Sequence, residues 1–518
     1  MSNNSGIKTV SVMMVLVLVA KISGFVRDIV ILRLMGTTPQ SQAFALASQI
    51  PRDFLDVAFA AAISASFIPV FNSWLEKKSK QEAFDVANNF ITFVIILALG
   101  VSLIGFFGAD FIASTFLSEG GPQTTALTAQ LLRILIFTIF TTTTAFAFTG
   151  VLQSLGGFYI PSIMSLIPNV LILGYLLVFF DRLGERAVFG LAAAFIVGNI
   201  LQLAIFIPPL RKRDFRYRPR LNLRDDALKQ ILHLSPMFLV SAWLFPINSL
   251  IHSWVIPNRY STEALVEFRA ANTIYIVVTG FFVLSVTNVL FPKLSREAAK
   301  ASDGRKSDFA KVLSGAISAV AFFLIPMAVG LWILREPVAR LAFMGGVFTA
   351  ASAAQVATAL GFLAFGMLGF GLTTILSRAF FSVMDGKVPM ITSLIAIAVN
   401  IAASFILIDF LGIGGPALAQ AISLTIAGLI MLAAISRKFT VLSKAIGLNV
   451  LKMGLAAVVM VALLLVMSYF AANLADIVVI LIVSITGMLI YFAVGLLLHI
   501  NEADIAKNLI LARLRKDV

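Results

Sequence analysis

The sequence predicts an all-α membrane protein of about fourteen transmembrane helices, built as two pseudo-twofold-related six-helix lobes plus two extra C-terminal helices. Three observations predict it. Hydrophobic residues fill 60% of the 518 positions and charged residues only 12%, whereas a water-soluble chain carries about 25% charged residues. The surplus apolar surface must therefore face lipid. Apolar stretches of about 20 residues or more recur with short polar breaks, the length a helix needs to cross a bilayer. Basic residues gather in alternate breaks.

The predicted spans cover 7–35, 41–75, 84–118, 123–153, 158–181, 185–210, 226–257, 263–292, 310–334, 350–383, 388–410, 414–436, 447–472 and 476–499. Several exceed what a bilayer needs, which implies tilt or projecting ends. A barrel would show short alternating segments instead of long apolar runs. The first run resembles a signal peptide, with Lys8 before Val10–Ala20, but the apolar pattern resumes after Lys21 and no small-residue cleavage site precedes a polar start. It reads as a retained membrane helix.

Placing the N-terminus in the cytoplasm puts 27 of the 39 basic residues in inside breaks and 5 outside (Arg182, Arg186, Arg259, Arg335, Arg340). That asymmetry follows the positive-inside rule and places both termini in the cytoplasm. It also accounts for the net charge of +14 without a nucleic-acid partner. The densest run, Arg211-Lys212-Arg213 through Lys229, is either a topology determinant on a solvated loop or a contact for anionic headgroups. The chain has no cysteine, which excludes disulfides and thiolate chemistry. His233, His252 and His499 stand far apart, so no histidine metal site is predicted and their roles read as packing.

Three motifs recur in order. Phe67-Ile68-Pro69 returns as Leu290-Phe291-Pro292 after 223 positions, Pro161-x3-Ser165-Leu166-Ile167 as Pro389-x3-Ser393-Leu394-Ile395 after 228, and Gly190-Leu191-Ala192 as Gly415-Pro416-Ala417 after 225. An even number of spans separates the copies, so they share orientation, the arrangement of parallel-repeat transporters. The organisation predicted is an N-terminal lobe over 1–210, a basic cytoplasmic loop over 211–225, a C-terminal lobe over 226–438, two further helices over 447–500 and a cytoplasmic tail over 501–518.

A substrate site is expected between such lobes, and charges inside spans are its candidates, because burying them costs several kcal/mol unless they meet water or a partner. The first span carries Lys21, Gly24, Arg27 and Asp28. Lys21, Gly24 and Asp28 fall on one helical stripe. Either these charges face a wet cavity, or Arg27 and Asp28 pair with neighbours to hold the bundle. In the second span Pro51 marks a break, and Arg52 lies one turn from Asp56 with Asp53 between; a local ion-pair network is the alternative to substrate contact. Glu267 to Thr273 brings Arg269 and Asn272 into the eighth span. Arg33, Arg133 and Arg378 lie toward span ends and can snorkel. There is no phosphate-binding loop of the ATPase type, and the outer breaks are too short to hold a catalytic domain.

Lys21-x-x-Gly24-Phe25-x-Arg27-Asp28 resembles the first-helix signature of the MurJ/MviN family. Ala43-Phe44, Ile50-Pro51 and Phe67-Ile68-Pro69-Val70-Phe71 follow in that family's order, then Ala271-Asn272, Gly280-Phe281-Phe282, Phe291-Pro292-Lys293 and Asp385-Gly386-Lys387-x-Pro389. The resemblance implies a non-enzymatic flippase of the MOP superfamily in the bacterial cytoplasmic membrane. It implies alternating access, lipid II as the polyprenyl-pyrophosphate-linked substrate, and a tail groove at the last two helices. Lys21 and Arg27 would then bind the diphosphate, with Asp28 tuning Arg27 and with Gly24, Arg52, Arg269 and Asn272 nearby. Asn400 matches a polar position of the eleventh helix and Ser404 stands where the family has an acid, so the two form the candidate cation or polar site. No cofactor is implied; a membrane potential or a cation gradient would drive the cycle. Membrane lipids and cell-wall synthesis proteins are the implied partners. The chain departs from the pattern at Lys21 (arginine in the family), Ala20 (serine), Gln42 (an acid), Leu55 and Thr273 (arginines). A flippase for another polyprenyl-linked oligosaccharide and a non-transporting scaffold of envelope assembly are the alternatives.

Overall fold

The computed structural model describes residues 3–52, 66–301, 306–383, 385–441, 444–470 and 474–514. Among them the secondary structure is helical throughout, with no strand beyond an isolated bridge. The chain divides into two compact units, Met1–Val266 with Gly346–Phe348, and Glu267–Gly345 with Thr349–Val518.

In the first unit α1 covers Asn3–Met35 and α2 Pro39–Pro51. Thr38 caps α2, its hydroxyl accepting from the Ser41 N–H at 3.4 Å, and Pro39 takes the first turn, where no N–H is needed. α2 stops on Pro51. α3 covers Ile68–Lys77 and α4 Lys80–Phe107. Ser79 and Glu82 exchange hydrogen bonds in a capping box that fixes the start of α4. α5 (Ala109–Phe116), α6 (Gly121–Leu135), α7 (Thr138–Ser154), α8 (Tyr159–Ile163), α9 (Leu166–Val178), α10 (Ala187–Ala204) and α11 (Ile207–Arg211) follow. α12 (Asp226–Ala242) and α13 (Leu244–Arg259) close the unit.

Two cores hold it. One stacks Phe67 on Phe71 and Phe90, with centroids 5.2 and 4.4 Å apart, among Ala83, Val151 and Phe206. The other joins Ala43, Leu131, Ile172 and Leu191. α12 and α13, which the repeat ascribes to the second copy, pack here: Asn258 on α13 accepts from the Ser118 N–H at 3.1 Å.

α14 (Thr262–Ala301) carries the chain into the second unit. There α15 (Lys306–Ile333), α16 (Arg335–Phe343), α17 (Ala350–Ala364), α18 (Met367–Ser382), α19 (Lys387–Leu411), α20 (Gly414–Phe439), α21 (Lys444–Phe470), α22 (Asp476–Leu497) and α23 (Asn501–Leu514) follow. α17 and α18 meet at a bend of 50°. α19 and α20 pack backbone to backbone: a Cβ on Gly415 would lie 2.5 Å from the Leu407 carbonyl. The counterpart Gly190 likewise leaves no room for a Cβ against Tyr175. The repeated glycine is thus a close-approach residue in both copies. Met453, Ala456, Met460, Val483 and Tyr491 form the core around α21 and α22, and Arg340 clamps Asp476 at 2.7 Å.

Nine helical segments are long and apolar enough to cross a membrane among the described residues, or ten if the bent pair is one span. This count does not confirm the fourteen expected. Side chains such as Phe107 (78% exposed), Phe410 (80%) and Leu497 (79%) stand free on the outside, as lipid-facing residues do and as water-facing ones rarely do in such numbers.

Candidate functional site

The polar cluster that α1 builds lies inside the first unit. α1 runs unbroken through Gly24, so the glycine does not interrupt the helix. What it provides is room: a Cβ there would sit 3.3 Å from Nδ2 of Asn169 on α9. Asn169 is 5% exposed and is the hub. Its amide donates to the Ala20 carbonyl at 3.2 Å and to the Ser23 hydroxyl at 3.0 Å, and its Oδ1 accepts from Nη1 of Arg27 at 2.7 Å.

Arg27 folds back on its neighbour. Nε and Nη2 donate to Oδ1 of Asp28 at 3.0 and 2.7 Å. Adjacent helical side chains diverge by about 100°, and the long arginine stem closes that gap. Its guanidinium carbon lies 5.4 Å from the Phe195 ring centre on α10, within cation–π range. The side chain is 13% exposed and that of Asp28 27%. A guanidinium has five N–H donors; three are engaged here, which leaves two. Arg27 therefore holds α1 to α9 and still presents donors. Lys21 differs. It is exposed on the same stripe as Gly24 and Asp28 and makes no hydrogen bond or ion pair among the described residues. It is an uncompensated positive charge within a turn of Asn169's anchor at Ala20.

Arg52 follows the last residue of α2 and is exposed. Asp53 and Asp56, its expected partners, lie outside the described residues. Arg269 and Asn272 belong to α14 in the second unit. Arg269 is half-buried, and its carbonyl accepts from Thr273 at 2.9 Å. Asn272 accepts from Gln420 on α20 at 3.4 Å, a long bond. The structure thus gathers Gly24, Arg27 and Asp28 around one asparagine, and leaves Arg269 and Asn272 in a separate unit.

Asn400 and Ser404 lie one turn apart on α19, both fully buried. Neither amide atom of Asn400 nor the Ser404 hydroxyl has a hydrogen-bond partner among the described residues. Unsatisfied buried amides are rare, because each costs about 1–3 kcal/mol. The pair suits a small polar guest. The two oxygens are neutral, and no group of three or more metal-binding side chains occurs among the described residues.

Asn169, Ser23 and Phe195 were not among the residues predicted from sequence. The available signal was Asn169 itself, a lone amide in the apolar run Leu166–Val178.

A family model described as lipid II flippase MurJ matches residues 31–486, beginning just after the α1 motif. The chain is 28% identical over 424 residues to a probable lipid II flippase MurJ of Vibrio cholerae, covering 78% of each. It is 26% identical over 462 residues to one of Buchnera aphidicola from Acyrthosiphon pisum, covering 87% of this chain and 88% of that one. Among solved structures it is similar in fold to a lipid II flippase MurJ in an inward closed conformation, with a TM-score of 0.78 at 21% identity over 93% of this chain and 98% of that one. An inward-facing multidrug MATE transporter of the MOP superfamily gives a TM-score of 0.68 at 16% identity, over 82% and 98%.

Proposed function

The chain belongs to the lipid II flippase MurJ family, and from that premise we propose that it moves lipid II, the undecaprenyl-pyrophosphate-linked peptidoglycan precursor, across the cytoplasmic membrane by alternating access. In this reading the lobes are 1–210 and 226–438, both termini are cytoplasmic, and the helices over 447–500 take the lipid tail. The observation that carries it is the α1 cluster. Lys21 offers an unpaired charge, and Arg27, held by Asp28 and Asn169, offers two further N–H donors. A diphosphate needs charge-assisted donors of this kind. It must also be released, and Asp28 offsets part of the Arg27 charge to that end. Arg52 is a further proposed contact in the same unit, and Arg269 and Asn272 are proposed as substrate contacts of the second unit.

Because Asn400 and Ser404 bring no carboxylate, we favour the membrane potential over a bound cation as the driving force. Each headgroup charge carried outward gains about 2.3 kcal/mol per 100 mV of negative-inside potential. The cycle forms no covalent bond, so the reading is of a transporter and not an enzyme. Partner proteins of wall synthesis remain part of this proposal and not of the fold.

The test is growth of cells depleted of their own lipid II flippase and supplied with this chain. Growth supports the reading. No growth at full membrane expression refutes lipid II as the substrate and favours a second polyprenyl-linked glycan, to which Lys21 in the family's arginine position already points.

A further inference from the structure

The segment between α11 and α12 alternates strictly. Phe215, Tyr217, Pro219, Leu221 and Leu223 take one parity, and Arg216, Arg218, Arg220, Asn222 and Arg224 the other. Over residues 215–222 that pattern sends apolar and polar side chains of an extended chain to opposite faces, and residues 223–224 form a turn. The contacts follow the same period. The N–H groups of Arg218, Arg220 and Asn222 donate to Asn88 Oδ1 at 3.1 Å, Thr92 Oγ1 at 3.1 Å and Asn89 Oδ1 at 2.7 Å. Asn89 returns its amide to the Asn222 carbonyl at 2.9 Å, and the Tyr217 hydroxyl lies 3.0 Å from Thr92. Asn88, Asn89 and Thr92 are 3%, 1% and 8% exposed, so α4 has three buried polar side chains whose role is to hold this backbone straight.

The acids nearby are already engaged: Asp85 with Arg220 at 2.6 Å, Asp214 with Lys80 at 2.8 Å, and Asp226 with Lys229 at 3.5 Å. Asp225 caps the Leu228 N–H at 3.0 Å. Arg211, Lys212, Arg216, Arg218 and Arg224 are exposed and have no side-chain partner among the described residues. Leu221 and Leu223 stand 48% and 59% exposed beside them. The segment leaves one candidate span at Arg211 and is pinned along the first half of another, Lys80–Phe107, with ion pairs at Lys80 and Asp85, so it lies toward one end of that span.

A loop that only set topology would need its charges and no fixed shape. Here the backbone is held, the cations are left over, and leucines are exposed among them. We propose that residues 211–224 form a pre-organised platform for the headgroup phosphates of anionic phospholipids, with Leu221 and Leu223 entering the boundary with the acyl chains. The platform lies apart from the α1 cluster and does not depend on which lipid-linked substrate is moved.

The test titrates the full-length protein in detergent micelles with phosphatidylglycerol, and with phosphatidylcholine as the neutral control, counting retained lipids by native mass spectrometry. The wild type is expected to retain phosphatidylglycerol preferentially. The triple variant R216Q/R218Q/R224Q should lower that retention about tenfold or more, since each cation near an anionic surface contributes roughly fivefold. N88A/N89A, which leaves the formal charge unchanged, should lower it severalfold by releasing the backbone. Equal retention of both lipids, or full retention of phosphatidylglycerol by the arginine triple variant, overturns the platform. Displacement of phosphatidylglycerol by millimolar inorganic phosphate would assign the site to free phosphate and overturn the lipid. Unchanged binding by a folded N88A/N89A protein overturns pre-organisation, and should that variant fail to fold the arginine variant still decides.

Discussion

Replacing Arg27 by lysine keeps the charge and removes the fork. In the structure the fork makes three bonds at once, two to Asp28 and one to Asn169. A lysine ammonium reaching Asp28 is a point charge on a shorter head and has no planar fork to hold Asn169 Oδ1 in the same geometry. Asn169, 5% exposed, then has its charged hydrogen bond weakened or lost, a change of up to about 1.5–3 kcal/mol. If that energy orients the diphosphate-binding donors, R27K should lower the lipid II transport rate of proteoliposomes about ten- to hundredfold. If it only ties α1 to α9, transport per folded molecule should hold while thermal stability in detergent falls by a few degrees. Measuring both on one preparation separates the two roles. An R27K protein that matches the wild type in transport and in melting would refute the reasoning, since the fork would then have no measurable consequence.

Three further outcomes follow from the geometry. N400V removes two amide atoms that have no partner among the described residues for a modest rise in volume, so it should leave stability unchanged or raise it by about 1 kcal/mol; a lower melting temperature would mean the amide has a partner such as a bound water. G415A drives a Cβ to 2.5 Å from the Leu407 backbone and should destabilise by about 1–3 kcal/mol, whereas G174A, with nothing within 4 Å, should be neutral or stabilising; a tolerated G415A would show that α19 and α20 can separate without penalty. At Asp385, outside the spans, burial alone would raise the carboxyl. The Lys438 hydrogen bond and charge, with the N–H groups of Val388 and Lys387, outweigh it and hold the carboxyl below its ordinary 3.8. A depressed carboxyl stabilises the fold above its unfolded value and loses that contribution as pH falls through the folded one. D385N should therefore melt below the wild type at pH 7, and the gap should close below about pH 4; a gap that persists in acid would rule out the ion pair as its source.

Class and family were legible without coordinates because both are written locally. A run of about 20 apolar residues has few options besides a membrane helix, and Gly190 and Gly415 mark close approaches in the two copies, to the Tyr175 side chain in one and to the Leu407 backbone in the other. The excess charge of residues 211–229 was equally plain. The partners of those residues were not. Asn169 is 142 positions from Arg27, and nothing in either segment's periodicity shows that one caps the other. Asn88, Asn89 and Thr92 read as the polar start of a span until the structure shows them holding a backbone about 130 residues away. The pairing of Arg27 with Asp28, rather than a stripe shared by Lys21 and Asp28, also comes from packing, because Gly24 lets Asn169 of α9 approach and hold the guanidinium. α12 and α13 belong to the second copy by repeat and to the first unit by contact. Sequence alone determined which stretches must leave water and which charges cannot remain in lipid without a partner, since transfer free energy belongs to each residue. Only the tertiary structure decided which groups meet, since hydrogen bonds are set by distance in space and not by separation along the chain.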